Sequence, residues 1–379
     1  MSSSEPTTLQ PGAPRPRAIW PVLWAGLSVA GLVLWIASLA GPEGQRAWLA
    51  LLINLVYFNS LAVGMVVWSA VVLLSNGRWA GRAERLALSG VMFAPVPLLA
   101  FIVLWAGHSH WAVWMQTRQP HQDIWLNVPF LFTRDFLALL ILWTLAIVYV
   151  IQRRKGRPAR LAGVFVFTYC IVASLLGFDL VMALDPRWYS TLFGGYFFIT
   201  GMYIAVTAWT LLTVLRMPQA RDQHHDLAKL MVAFSLISTY MMYSQLLPIW
   251  YENLPAEVRF IIPRLRMDRW GWLSAILLCT VYLGPLVFLL LRRLKRTPWY
   301  LGPFAVVILL GMWLERWWLV VPTVQPELAG RLALGVPELS ATAAFLGAFG
   351  LCITLYNRWV PASELAGPSP EHYQEATTA

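Results

Sequence analysis

Residues 47–74 read AWLALLINLVYFNSLAVGMVVWSAVVLL, twenty-eight positions without a single Asp, Glu, Lys or Arg. A hydrocarbon core of about 30 Å is crossed by about 20 helical residues, so this run is long enough to span one. It is apolar on every side, which leaves a helix no face for water. It also lacks the period-two alternation that a membrane-spanning strand shows over about 10 residues. A helix inside a membrane remains, because in hydrocarbon a chain must satisfy its own backbone donors and acceptors.

Working outward, nine further runs of the same character appear between charged or Pro/Gly-rich breaks, at 19–40, 85–106, 134–151, 161–184, 192–215, 227–250, 270–291, 298–320 and 338–359. The expected fold class is therefore an all-α integral membrane protein with ten transmembrane helices. The whole 379-residue composition agrees: 59% hydrophobic, only 12% charged, mean hydropathy +0.62. A soluble chain carries about 25% charged residues. Twenty-one Trp and eighteen Phe fit the aromatic belts of a bilayer.

The basic residues orient the bundle. With the N-terminus inside, 18 of the 28 Lys and Arg, including all three Lys, fall on the inner side. The positive-inside rule then predicts that both termini are cytoplasmic, against the dissent of four Arg between 259 and 269. The expected location is a bacterial inner membrane. Residues 1–18 and 361–379 have the composition of disordered cytoplasmic tails, and 19–360 read as one transmembrane domain. The outward segments 107–133 and 251–269 are rich in aromatic, Pro and Arg residues and read as ordered caps. The net charge of +10 is spread over inner loops, which suits anionic lipid headgroups and not nucleic acid.

Several chemistries have no foothold. Cys170, Cys279 and Cys352 lie inside predicted helices without CxxC or CxxCH spacing, so covalent haem and iron–sulfur ligation are not expected. The six His, at 108, 110, 121, 224, 225 and 372, all fall in predicted loops or a tail, where facing haem ligands cannot be built. The His108-Ser109-His110 pair with His121 lacks a fixing geometry, and no metal site is expected. P-loop, GxSxG and HExxH motifs are absent.

An ionisable group at membrane depth costs on the order of 2.5–3.5 kcal/mol, so each one needs a reason. Asp179, in LLGFDLVM, and Glu315, in GMWLERWW, are the two acids at such depth in the outer thirds of the fifth and ninth helices. Each reads either as a proton-transfer group or as an acid hydrogen-bonded to a neighbouring helix. Asp179 has no base nearby in sequence. Arg316 follows Glu315, but adjacent helical positions diverge by about 100°, so the two need not pair. Arg316 is expected to snorkel towards the interface among Trp313, Trp317 and Trp318. Arg134 and Asp135 open the fourth helix and read as a site or as interfacial capping. On the seventh helix Ser235, Ser238, Thr239 and Gln245 share about a 120° sector, flanked by Tyr240 and Tyr243. Such a stripe glues helices together or lines a polar channel or quinone pocket. Asn54, Tyr57 and Asn59 on the second helix could extend it.

Two internal echoes divide the chain. LNVPF leading to Arg134-Asp135 before the fourth helix is matched by Asn253-Leu254-Pro255 leading to Arg259-Phe260 and Arg264 before the eighth. Asp179 and Glu315 occupy the same depth in the last helix of their units. Both echoes give two four-helix bundles, helices 2–5 and 6–9, with helices 1 and 10 flanking.

Five stretches in this order also carry a family resemblance: LNVPFLFTRD (126–135), FDLVMALDPRWYSTLFGG (178–195), QLLPIWYENLP (245–255), RWWLVVPT (316–323) and VPELSATAAFLGAFGL (336–351). They resemble the ActF-type subunits of bacterial alternative complex III, within the NrfD-like (polysulfide reductase membrane-subunit) family. The resemblance covers nearly all of 20–360. It implies a ten-helix subunit of a complex that oxidises menaquinol or ubiquinol and passes electrons to cytochrome c or an oxidase. Haem and iron–sulfur clusters would sit on partner subunits, beside a second NrfD-like chain. Related quinol subunits use His and Asp side chains in their pocket, whereas no His stands in a predicted helix interior here. The match carries proton handling onto Asp179 and, through the adjoining RWWLVVPT, onto Glu315.

The expected role is thus a non-haem membrane subunit of a quinol:cytochrome c oxidoreductase, offering a proton path through Asp179, Glu315, Asp135 and Arg134, or an auxiliary quinone pocket at Asn54, Tyr57, Tyr243 and Gln245. A stand-alone transporter or channel and a purely scaffolding subunit are the alternatives.

Overall fold

A computed structural model describes residues 19–115, 122–156, 160–328 and 330–360. The two expected tails, with His372, and also His121, lie outside the described residues. The structure is 84% helical, with no strand among the described residues. Among the described residues ten helices are long and apolar enough to cross a membrane: α1 Ile19–Leu39, α2 Gly44–Leu74, α3 Gly81–Ala106, α4 Val128–Arg154, α5 Ala162–Leu184, α6 Leu192–Arg216, α7 Arg221–Glu252, α8 Gly271–Phe288, α9 Pro298–Val324 and α10 Val336–Trp359. All ten predicted runs have their helix. α4 begins at Val128 and not at 134, because Asn127 is its N-cap, accepting from the Phe130 N–H at 3.4 Å, and Pro129 fits the first turn. A further short helix, Pro255–Leu265, caps the end of the second unit and is called the cap helix below.

The helices pack as two rings. In the first, α2 meets α3 and α5, and α4 bridges α3 and α5; in the second, α6 meets α7 and α9, with α8 closing against both. α2 is the shared wall, buried throughout its apolar window and packed on α6 and α9. That burial explains why residues 47–74 are apolar all round. Close approach needs small residues here: a Cβ on Gly64 would lie 2.6 Å from the Ala205 Cβ, and one on Gly201 2.7 Å from the Tyr169 hydroxyl. α10 packs on α2 and α3, and α1 packs mainly on α10.

Three spans are irregular. α3 tightens to 3₁₀ over Ser89–Phe93 just before Pro95, whose missing N–H interrupts the ladder. α5 passes through a π-turn at Gly177–Val181, and α8 through another at Leu278–Tyr282. π-turns leave carbonyls free for outside donors, and Tyr203 donates to one of them, Val281 O, at 2.9 Å.

Candidate functional site

Both acids expected at membrane depth, Asp179 and Glu315, are buried and paired, and each sits in a different setting. In the first unit, capping at Asn127 starts α4 early enough to place Arg134 and Asp135 in its second turn. The π-turn of α5 then presents Asp179 to them. Arg134 Nη2 donates to Asp179 Oδ2 at 2.5 Å and Arg134 Nε to Asp135 Oδ1 at 3.4 Å. Trp125 Nε1 donates to Asp179 Oδ1 at 2.7 Å, and its ring lies under the Arg134 guanidinium, 3.9 Å from Cζ to centroid. The base that Asp179 lacks nearby in sequence is therefore 45 residues away. Asp135 is fully buried, so it does not cap the interface. One guanidinium faces two carboxyls, and Arg134 Nη1 and Asp135 Oδ2 have no hydrogen-bond partner. A cluster with one cation, two acids and an unmet donor and acceptor can take up and release a proton.

In the second unit, Glu315 on α9 accepts from the Tyr196 hydroxyl, which itself contacts the Tyr282 hydroxyl at 2.8 Å. The divergence of adjacent helical positions does not keep Glu315 and Arg316 apart: they pair, Nη1 to Oε2 at 3.0 Å. Long side chains wrap around the helix far enough to close the gap between adjacent positions. Arg316 does not snorkel either. It is fully buried, with Nη2 donating to Thr200 Oγ1 at 2.8 Å and Cζ 4.2 Å from the centre of the Phe197 ring. In the protein interior a guanidinium that finds a carboxylate, a hydroxyl and a ring face is better placed than one stretched to the interface.

Beside Glu315 opens a cavity of about 290 Å³, walled mainly by apolar side chains. Its polar groups are few: Glu315, Tyr196 and Tyr282 on one side, Gln245 of α7 on another, and Arg264 of the cap helix with Ser274 of α8. Arg264 fastens the cap helix to α9. Its Nε donates to Trp318 O at 3.1 Å, Nη2 to Leu319 O at 2.9 Å and to Thr323 Oγ1 at 2.7 Å, and Nη1 to Phe260 O at 2.6 Å. Trp318 O needs that donor, since the residue four ahead is Pro322, which has no N–H. Burial pushes the Arg264 guanidinium down to about 9, opposed by Asp185, so it stays cationic at neutral pH. Arg259 holds the same Asp185 at 2.9 Å and ties the cap to the connection between α5 and α6.

The remaining candidates are placed as follows. Gln245 lines the cavity, whereas Tyr243 is 57% exposed and off its wall. Asn54 accepts from Trp313 Nε1 at 3.1 Å and donates to Ala50 O at 2.9 Å, while the Tyr57 hydroxyl donates to Leu309 O at 2.9 Å. Both join α2 to α9 behind the cavity. Ser235 and Thr239 bond carbonyls of their own helix, at 2.9 and 2.7 Å. His224 and His225, expected in a loop, lie in the first turns of α7, His224 fully buried. Tyr196, Tyr282 and Arg264 escaped sequence reasoning. The signal for the first two was a tyrosine inside an apolar span, and for Arg264 the Arg echo ahead of α8.

No protein-family model matches the chain, and no curated protein matches it. The geometry of the two acid sites therefore carries the functional argument.

Proposed function

We propose that the chain is the non-haem membrane subunit of a quinol:electron-acceptor oxidoreductase of the alternative complex III type, contributing an auxiliary quinone pocket at Glu315 and a proton site at Asp179. The observation that carries this reading is the apolar cavity with a carboxyl and a tyrosine pair at one wall. A quinone ring with its isoprenoid tail is a largely apolar ligand with two oxygens, and a pocket for it needs apolar walls with a few fixed polar groups. Tyr196 and Glu315 can exchange a hydrogen bond with a ring oxygen, and Gln245 can hold one from the side. Electrons would leave through haem and iron–sulfur centres of partner subunits in a bacterial inner membrane, beside a second NrfD-like chain. The five stretches resembling that family support the same assembly.

The π-turns weigh against a stand-alone transporter: with units α2–α5 and α6–α9 they lie in non-corresponding helices, α5 and α8, whereas a repeat-built transporter places its broken helices at corresponding positions.

The test is purification of the intact assembly from native membranes in mild detergent, followed by quinol:cytochrome c assays. Co-purifying c-haem with quinol turnover that falls about tenfold or more in Glu315→Gln is expected. A solitary, haem-free protein, or wild-type turnover in that variant, would overturn the reading.

A further inference from the structure

At the end of the bundle opposite the acid sites, the α6–α7 turn and the α8–α9 connection enclose a recess of about 580 Å³. Its walls carry Arg221, Arg293 and Arg296, with Pro218 and Trp299 at the rim. The charge in it is poorly compensated. Asp222 lies beside it, held by Arg296 Nη2 at 2.9 Å and 81% exposed at its side chain. Arg221 and Arg293 have no carboxylate partner among the described residues, and Arg296 Nε is buried without an acceptor. Arg221 and Arg293 are exposed and Arg296 is half-buried, so the recess presents three guanidiniums to an anion arriving from outside.

The surroundings say which anion. Trp299 is 91% exposed, and Leu215, Leu290 and Leu291 are exposed by 66%, 60% and 62%. An unpaired Trp beside bare leucines at the ends of spans is the surface that meets the headgroup and upper acyl layers of a bilayer. Basic pockets between spans at such a level recognise lipid phosphates. We propose that this recess binds the phosphodiester headgroup of an anionic membrane phospholipid, with the three Arg on the phosphate oxygens and the acyl chains lying along Leu290 and Leu291. Guanidinium forks suit this anion because they can bond two phosphate oxygens at once. The site is separate from the quinone reading and stands or falls without it.

The full chain, purified with its native partners if it has them and exchanged into zwitterionic detergent, would be titrated with phosphatidylglycerol, phosphatidylcholine or inorganic phosphate. Bound phospholipid would be read by native mass spectrometry and thermal unfolding. We expect phosphatidylglycerol to be retained and to raise the unfolding midpoint, and phosphatidylcholine to do neither. In Arg293→Gln/Arg296→Gln the apparent affinity should fall by about tenfold or more. Arg221→Gln should weaken it less, and Arg331→Gln, at the other end of the bundle, should leave it unchanged. Equal retention in the double variant, equal effects of phosphatidylcholine, or full protection by inorganic phosphate alone would overturn the proposal. If the double variant does not fold, the comparison of Arg221→Gln with Arg331→Gln decides it, and equal affinities there would refute the site.

Discussion

The two units hold their acids with the same components and wire them differently. Each has a carboxylate past the middle of its last helix, and each has an Arg on the segment leading into its third helix or in that helix's second turn. In the first unit that Arg, Arg134, closes directly on Asp179 at 2.5 Å. In the second, Arg264 instead feeds the carbonyls of α9, and Glu315 takes its charge partner from the next residue, Arg316, at 3.0 Å. The physical cause lies in Pro322, which leaves Trp318 O without its helical donor and so claims the cap arginine. Freed from that closure, the space beside Glu315 opens into the cavity. One unit is a shut polar cluster, and the other is a walled pocket with an acid at its edge.

The sharpest way to break this contrast is to remove the closing cation. Arg134→Met leaves two carboxyls in a buried site, and breaking such a pair costs about 3–5 kcal/mol. Thermal unfolding in detergent should show a large loss for this variant. A variant as stable as wild type would mean that Arg134 contributes little to holding the first cluster shut.

The next effect tests the role given to Pro322. Arg264→Met removes charge-assisted bonds to α9 and should destabilise by about 2–3 kcal/mol. Pro322→Ala restores an N–H for Trp318 O, so in that background the cost of Arg264→Met should shrink by about 1 kcal/mol. Strict additivity of the two changes would show that the arginine does not stand in for the missing donor.

These expectations mark where the sequence was readable. Ten apolar runs became ten helices, because burial and hydrocarbon both demand uninterrupted apolar surface and leave a signal in every residue. Asp179 and Glu315 were legible as acids at depth for the same reason. Their partners were not. Arg134 reaches Asp179 across 45 positions, and the Tyr196 to Glu315 contact spans 119. Such pairings are set by how helices pack, and the apolar periodicity that reveals a span says nothing about which side chain faces which. The π-turns were silent too, since Gly177 and Leu278 open them without disturbing the apolar run.

A smaller change separates function from stability. Glu315→Gln keeps the volume and can still accept from Tyr196, but it leaves the fully buried Arg316 without its carboxylate and should cost about 2 kcal/mol. Asp179→Asn leaves Arg134 a second carboxyl, Asp135, and should cost less, about 1 kcal/mol. Turnover per folded molecule then separates the two roles: if the pocket is the working site, Glu315→Gln should lose quinol turnover at temperatures well below its unfolding midpoint, by more than Asp179→Asn does. Equal losses per folded molecule would make the two acids equivalent and erase the distinction between the units.

The smallest expected effect lies at the edge of the pocket. Tyr282 touches Glu315 only through Tyr196, so Tyr282→Phe removes a single hydrogen bond in a hydroxyl relay, a change of about 1 kcal/mol. Tyr196→Phe removes the hydroxyl that donates to the carboxylate and strands Tyr282 at the same time. A relay makes the two losses non-additive: once Tyr196 is Phe, taking the Tyr282 hydroxyl away should cost almost nothing. A double-mutant cycle on unfolding midpoints measures this directly. Equal costs for Tyr282→Phe in both backgrounds would mean that the two hydroxyls act separately and form no relay to Glu315.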